Sequence, residues 1–300
     1  MENRTILRLT TGEWALVGLT IIWGATFLVI RTGLSVSGPF FFLGARFGSA
    51  ALIMTLLSLS ILRSVTRREI VAGVLIGFFL FLGTALQTVG LLSITASKSA
   101  FITSFYVPAV PIMQCLILRR PPALKAWLGI GSAFIGLLLL TGPDGVSAGF
   151  GQGELLTFIS VLAIALEIIL ISFFAPSVNV LRVSIIQVAV TSVLGFACMP
   201  VYGESIPSFS WLLVFCAGGL GLASAIIQSV MVWGQRKISA TRATVIYAGE
   251  PIWGGIFGRI FGERLPLLAF VGCAFIVAGV LISDLRVKKK AAVRAKKNEE

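Results

Sequence analysis

The sequence predicts an all-α integral membrane protein with ten transmembrane helices in two inverted five-helix repeats. Three observations support this fold class. Hydrophobic residues make up 57% of the 300 residues and charged residues only 12%, whereas about a quarter of a typical soluble domain is charged. Ten apolar segments are each about long enough to cross a bilayer. Finally, the second half of the chain repeats features of the first half.

The ten predicted spans are continuous apolar runs, unlike the alternating apolar and polar residues of a membrane barrel. They are expected to be helices, because a helix satisfies its own backbone hydrogen bonds inside lipid. The first span lacks the small-residue cleavage site of a signal peptide, so we expect it to be retained. In chain order the spans are residues 14–30, 39–62, 70–92, 100–118, 123–141, 155–174, 183–201, 211–233, 243–261 and 265–282.

Lysine and arginine predict the orientation, because cytoplasmic loops are enriched in both and the loops here are short. If the N-terminus is cytoplasmic, 19 of the 24 basic residues lie on the cytoplasmic side, so both termini are predicted to be there. The basic tail is interpreted as a topology anchor that meets membrane lipid, with no nucleic-acid partner. The predicted organisation is a cytoplasmic N-terminus (1–13), a first repeat (14–141), an extracytoplasmic linker (142–154), a second repeat (155–284) and the tail (285–300).

The repeat is recognised from residues that recur roughly 143 positions apart. Each half holds five spans, an odd number, so the second half must enter the membrane from the opposite face. Inverted repeats are typical of secondary transporters, whose substrate site lies near the midplane between the halves. Glycines in the fifth and tenth spans are expected to allow close helix packing. The matched pairs are Glu13 and Glu154, Gln87 and Gln228, Lys98 and Arg242, Pro108 and Pro251, Gly129 and Gly272, and Gly136 and Gly279.

Short motifs in a fixed order carry a family resemblance. They are WGATF at 23–27, ARF at 45–47, LQTVGL at 86–91, TASKSAFITS at 95–104, EP at 250–251 and FGERL at 261–265. From about Glu13 to Asp284 the chain resembles the drug/metabolite transporter superfamily, in its ten-helix EamA-type branch. The resemblance implies a carrier in the cell inner membrane that exports amino acids, related metabolites or toxic analogues.

Ionisable residues inside the spans are candidate site residues, because a charge near the bilayer centre costs about 2.5–3.5 kcal/mol on insertion scales. Glu250 precedes Pro251, which cannot donate to the carbonyl of Tyr247 and therefore opens the helix locally. The carboxyl and the freed carbonyl could together bind an ammonium group or a proton. A structural hydrogen bond across helices is the alternative for Glu250.

Glu167, in the sixth span, has no neighbour in sequence that could neutralise it, so we expect it to face the bundle interior. It would carry the coupling proton or form a buried pair with Arg46 or Lys98. Arg46 lies deep in the second span and could instead meet a substrate carboxylate. Lys98 begins the fourth span, where it would line the substrate path, act in gating or extend to the interface. Gln87 and Gln228 would bind a ligand or hold helices together.

The fourth and ninth spans are predicted to be interrupted helices that flank the central site. Pro108 and Pro111 are expected to interrupt the fourth span, and Pro251 the ninth. Polar and aromatic side chains near these breaks would contact the substrate, although packing is the alternative for the aromatic ones. These candidates are Thr103 and Tyr106 in the fourth span, Tyr247 in the ninth and Trp23 in the first.

The composition argues against an enzyme. The chain has no histidine, so serine–histidine or cysteine–histidine catalysis and most catalytic zinc sites are not expected. The four cysteines lack CxxC spacing and are interpreted as reduced packing residues. No strand-linked glycine motif for nucleotide phosphates is present, so we predict neither a cofactor nor a metal.

The sequence therefore predicts a secondary transporter that moves a small-molecule substrate by alternating access. Exchange of the substrate against protons is a hypothesis motivated by Glu167 and Glu250. A passive channel or uniporter, and a membrane interaction protein without transport, are the alternatives. The oligomeric state stays open.

Overall fold

The computed structural model of the protein describes residues 9–94, 99, 102–119, 124–146, 151–260 and 267–284. Across these ranges the regular structure is helical, without a strand, in agreement with the predicted all-α membrane fold. Six of the described helices are long and apolar enough to cross a membrane, judged by length and composition, and three shorter apolar helices accompany them. Lys98 and the basic tail lie outside the described residues.

The helices follow the predicted spans in order. The first half contains α1 (Thr11–Leu34), α2 (Pro39–Leu57), the one-turn α3 (Leu59–Leu62), α4 (Arg67–Gly90), α5 (Tyr106–Leu118) and α6 (Leu124–Val146). The second half contains α7 (Gln152–Phe174), α8 (Val180–Val201), α9 (Trp211–Gly234), α10 (Ala240–Tyr247), α11 (Glu250–Ile260) and α12 (Leu267–Asp284). Two helices, α10 and α11, together form the ninth span.

Two predicted span boundaries differ from the structure. The second span, predicted as one segment over 39–62, is divided because the backbone at Ser58 leaves the helical region after α2. The ninth span begins at Ala240, three residues earlier than predicted. Its start is determined by Ser239, whose side chain accepts a hydrogen bond from the backbone N–H of Arg242.

The prolines mark helix starts more than helix breaks. Pro108 lies in the first turn of α5, and α5 continues through Pro111, so the prediction that Pro111 interrupts this helix is wrong. Helices buried among other helices tolerate the loss of one backbone hydrogen bond. The interruption lies just before α5, in a turn at 104–105, and a break at 248–249 precedes the first turn of α11 with Pro251. A proline fits a first turn because the missing N–H has no helical partner there.

The two halves run in opposite directions across the bundle. We call the face where α1 begins the N-terminal face and the opposite face the far face. At the N-terminal face, Glu13 at the start of α1 forms an ion pair with Arg242 at the start of α10. At the far face, a Cβ added to Gly153 at the start of α7 would lie 3.0 Å from the carbonyl oxygen of Gly90 at the end of α4. The first helices of the two halves therefore start on opposite faces.

Helices of each half pack mainly against helices of the other half. Helix α4 contacts α7 and α8, and correspondingly α9 contacts α1 and α2. Helix α6 packs along α12, where the predicted role of the glycines is confirmed. A Cβ added to Gly136 would lie 2.5 Å from the carbonyl oxygen of Gly272. One added to Gly279 would lie 2.5 Å from that of Gly129, so the two backbones touch at both places.

Candidate functional site

A row of polar side chains along α9 and its C-cap organises the centre of the bundle. Ser224, Gln228 and Gln235 are separated by four and seven residues, a spacing that places them on one face of a helix. All three side chains are buried. Each of them binds side chains from other helices.

Glu167, Gln187 and Gln228 form a buried group that we call the amide cluster. The side-chain N–H of Gln187 on α8 donates to the side-chain oxygen of Gln228 at 2.8 Å. Gln228 is in turn hydrogen-bonded to the carboxyl of Glu167 on α7. Glu167 is only 5% exposed. Among the described residues, one of its carboxyl oxygens and the side-chain oxygen of Gln187 have no hydrogen-bond partner.

Arg46 on α2 lies one helical turn away from the amide cluster along α9. Its Nε donates to the hydroxyl of Ser224 at 2.8 Å, and its guanidinium carbon lies 5.0 Å from the centre of the Phe47 ring. The predicted pairing of Glu167 with Arg46 is wrong: no carboxylate of the described residues lies within 4.0 Å of this guanidinium. Pairing of Glu167 with Lys98 concerns a residue outside those described.

Aromatic residues lie next to this polar row, toward the N-terminal face. Gln235 donates to the hydroxyl of Tyr247 at 2.8 Å and accepts from the hydroxyl of Ser172 at 2.6 Å. The Trp23 ring meets the Tyr247 ring edge to face, with the ring centres 5.1 Å apart. Tyr247 also lies within electrostatic range of Glu167. The structure thus joins predicted residues of the first and ninth spans to the amide cluster.

Glu250 begins α11 after the break in the ninth span, as its position before Pro251 predicts. Its side chain is partly exposed, unlike that of Glu167. Tyr106, buried in the first turn of α5, lies within electrostatic range of both Glu250 and Tyr247. The two interrupted spans therefore meet beside Tyr106 and Tyr247, with Glu250 at the start of α11 close by.

Gln87 and Thr103 form a separate pair in the first half. The side-chain N–H of Gln87 donates to the Thr103 hydroxyl at 2.8 Å. Within the described residues, neither side chain has a hydrogen bond to the amide cluster. Gln87 is the 21st residue of α4, whereas Gln228 is the 18th residue of α9. The two amides, which are matched in the sequence, therefore hold different helices: Gln87 binds the segment that precedes α5, and Gln228 binds α8.

The amino-acid pattern does not single out Gln187, Ser224 or Gln235 as site residues. Gln187 occupies the position in α8 that Arg46 occupies in α2, because these helices start at Val180 and Pro39, 141 residues apart. A comparison of the two halves position by position could therefore have identified Gln187. Ser224 and Gln235 carried no such signal, since serine and terminal glutamine are ordinary in membrane helices.

Two ion pairs join the halves at the N-terminal face. Glu13, fully buried, binds Arg242 and also accepts hydrogen bonds from the backbone and hydroxyl of Thr10. Glu69 at the start of α4 binds Arg182 near the start of α8, with 3.2 Å between nitrogen and oxygen. Both pairs connect a helix of the first half to a helix of the second half at this face.

The described residues contain no group of three or more acidic or cysteine side chains suited to a metal ion. The centre of the bundle presents one buried acid, one buried cation, neutral amides and aromatic hydroxyls. Such a set can bind a small polar molecule and exchange a proton.

Comparison with known proteins gives the architecture a family context. The profile of the EamA-like transporter family matches residues 10–142 and again 151–283. A protein described as an uncharacterized transporter of Archaeoglobus fulgidus is 29% identical over 271 residues, which cover 90% of this chain and 84% of that protein. The uncharacterized inner membrane transporter YedA of Escherichia coli is 27% identical over 278 residues, 90% of both chains.

A solved crystal structure shares the fold. It superimposes with a TM-score of 0.78, covering 94% of this chain and 99% of its own, at 14% sequence identity. At this identity the likeness concerns the fold alone. The double family match covers nearly the whole chain, so each half by itself resembles the family.

Proposed function

Because this chain belongs to the EamA-like transporter family and is a membrane transporter, we propose that it is a proton-coupled secondary transporter that exports a small metabolite by alternating access. The single observation that carries this proposal is Glu167, a buried acid with an unpartnered carboxyl oxygen at the centre of the bundle. An amino acid or a related compound is the leading substrate class, by family resemblance.

The amide cluster supports proton exchange because it holds Glu167 without neutralising it. A carboxylate inside a membrane bundle is stabilised by binding a cation, and the described residues provide none beside it. A proton on the free oxygen would meet that need. The hydrogen bond from Gln228 keeps the other oxygen in place, so the free oxygen is the site where a proton would bind and leave.

Alternating access is supported by the inverted halves and by the ion pairs at one face. Inverted repeats allow the two halves to rearrange around a site near the midplane. The Glu13–Arg242 and Glu69–Arg182 pairs join the halves at the N-terminal face, and their separation would open that face. We further propose that this face is cytoplasmic and that the membrane is the cell inner membrane, consistent with the charge distribution and with the description of the relative YedA as an inner membrane transporter.

The test is flux in proteoliposomes that contain the purified protein and a mixed pool of amino acids and metabolites. We expect selective flux that follows an imposed pH gradient. Glu167→Gln should lose this gradient dependence but keep exchange of substrate across the membrane, since glutamine resembles the protonated acid but cannot release a proton. Thr26→Val, at the equivalent position of the first half, is the matched control and should behave like the native protein.

The same experiment separates the alternatives. Gradient-insensitive flux without counterflow would identify a channel, and gradient-insensitive flux with counterflow a uniporter. Coupling that survives Glu167→Gln but is lost in Glu250→Gln would move the proton site to α11. Concentrative transport that persists after the pH gradient has been collapsed would contradict proton coupling altogether.

A further inference from the structure

We propose that Arg46 binds a carboxylate of the transported substrate, one helical turn from the proton site. This inference deepens the proposed function and rests on it. Arg46 is the seventh residue after the start of α2, well inside the helix, and only 8% of its surface is exposed. A buried cation in a membrane helix requires a partner, and an arginine at such a depth is expected to contact an anion or a polar cavity.

The hydrogen bonds of Arg46 leave room for that anion. A guanidinium has five N–H donors in a rigid fork. Only the Nε–H is used, by Ser224. Its two terminal nitrogens have no hydrogen-bond acceptor among the described residues. Four of the five N–H donors are therefore available to an anion.

The surroundings hold the fork in a fixed orientation. Ser224 binds the guanidinium on its Nε side and the Phe47 ring lies against its face, 5.0 Å from the guanidinium carbon. Both contacts leave the two terminal nitrogens free to donate in parallel, which is the geometry that a carboxylate accepts. A single guanidinium carries one positive charge, so it matches a carboxylate better than a phosphate with nearly two negative charges.

The position of Arg46 relative to Glu167 connects substrate and proton. Ser224 and Gln228 are four residues apart on α9, a rise of about 6 Å. The carboxylate site, which carries the positive charge of Arg46, would therefore lie next to the acid Glu167 of the amide cluster. Proton binding at Glu167 would remove a negative charge close to the bound carboxylate, so the charge of Glu167 would change how tightly Arg46 holds the substrate.

The experiment measures thermal unfolding of the purified full-length protein with matched probes. The probes are a set of L-amino acids and small monocarboxylic acids, the corresponding carboxamides, and inorganic phosphate. We expect the acids to raise the unfolding temperature of the native protein and the carboxamides and phosphate to have little effect. Arg46→Gln should weaken acid binding at least about tenfold, as expected for loss of a charge-assisted pair. Arg31→Gln, an exposed arginine at the end of α1, is the control.

Two milder variants protect the test against misfolding. Arg46→Lys keeps the charge but loses the fork, so it should bind acids more weakly than the native protein and more tightly than Arg46→Gln. Ser224→Ala removes only the partner of Nε and should weaken binding a few-fold. Equal stabilisation by acids and carboxamides, no stabilisation by any acid, or unchanged acid binding by Arg46→Gln would each overturn the proposal.

Flux measured on the same preparations distinguishes this proposal from the proposed function. Proton-driven flux of substrates without any preference for carboxylates would refute the Arg46 site and leave proton-coupled transport intact. Carboxylate binding through Arg46 without flux would refute transport coupling while the binding site stands. Preferential stabilisation by phosphate would replace the carboxylate assignment by a phosphate site.

Discussion

The two halves of the protein place different chemistry at equivalent positions of one scaffold. Helices α1 and α7, and likewise α2 and α8, begin 141 residues apart. At matched positions the first half has Thr26 and Arg46, and the second half has Glu167 and Gln187. The cation thus belongs to one half and the acid to the other, although both lie near the middle of the bundle. A duplicated scaffold can therefore carry two different sites, one for each sign of charge.

The halves remain alike where backbones touch. At the seam between α6 and α12, the approach of Gly136 to Gly272 has the same closeness as that of Gly279 to Gly129. A side chain at either place would collide with a carbonyl oxygen that cannot move aside. Side-chain positions that line the centre are free of this constraint, which explains why symmetry persists at the seam and is lost at the site.

The largest expected effect comes from breaking the symmetric seam. Gly136→Ala and Gly279→Ala should each destabilise the protein by about 2–4 kcal/mol, since each new methyl group would meet a backbone oxygen. The two variants should be affected to the same degree. Gly131→Ala, where an added Cβ meets nothing within 4 Å, should be neutral or stabilising because alanine favours helices. Thermal or denaturant unfolding in detergent measures the stability of all three variants. Equal stability of the three would contradict the close backbone contact between α6 and α12.

A smaller effect on stability is expected at the N-terminal start of the first helix of each half, α1 and α7. Glu13→Gln should weaken the Arg242 pair by about 1–3 kcal/mol, between the values for exposed and buried pairs, and loosen the N-terminal face. Glu154→Gln, its counterpart on α7, should instead loosen the far face, since Glu154 begins a helix there and accepts from the backbone of Gly151 at 3.0 Å. Hydrogen–deuterium exchange should therefore rise in α10 for the first variant and at the start of α7 for the second.

Further variants of the same protein serve as controls for Glu13→Gln and Glu154→Gln. Arg236→Gln, an exposed arginine beyond α9, should leave exchange in α10 unchanged. The double variant Glu13→Arg/Arg242→Glu swaps the two charges. It should recover part of the protection of α10 from hydrogen–deuterium exchange. If Glu13→Gln and Glu154→Gln loosened the same face, the proposed opposite roles of the two acids would be wrong.

The smallest effect is expected at Gln187, which positions a neighbour rather than a ligand. Gln187→Leu removes the donor to Gln228, so it should cost about 1–2 kcal/mol of stability and release the amide that orients Glu167. Proton-driven flux should fall a few-fold with a shifted pH profile, while gradient-free exchange is retained. Ser229→Ala, which loses only a bond to its own helix, should leave the pH profile unchanged. An unaltered profile in Gln187→Leu would show that the acid needs no such support.

Much of the candidate site is visible in the sequence because ionisable residues in an apolar span are conspicuous. Glu167, Glu250 and Arg46 are identified in that way from the amino-acid pattern alone. Their partners were not predictable, since contacts such as that of Arg46 with Ser224 join residues 178 positions apart. The predicted Glu167–Arg46 pair failed for this reason: both residues lie deep in the membrane, but their helices approach α9 at different levels.

The amino-acid sequence is sufficient to establish the membrane class, the order of the helices and the inversion of the second half. These follow from the length of the apolar segments, from the odd number of spans in each half and from the motifs that the two halves share. All three can be read from the sequence without knowing which helices touch. The packing of the bundle is needed to establish which polar groups remain unsatisfied, where the interrupted spans break and which ion pairs join the halves at one face. Those features depend on how side chains from distant helices meet, and the free energy of such contacts is not recorded in the pattern of any one segment.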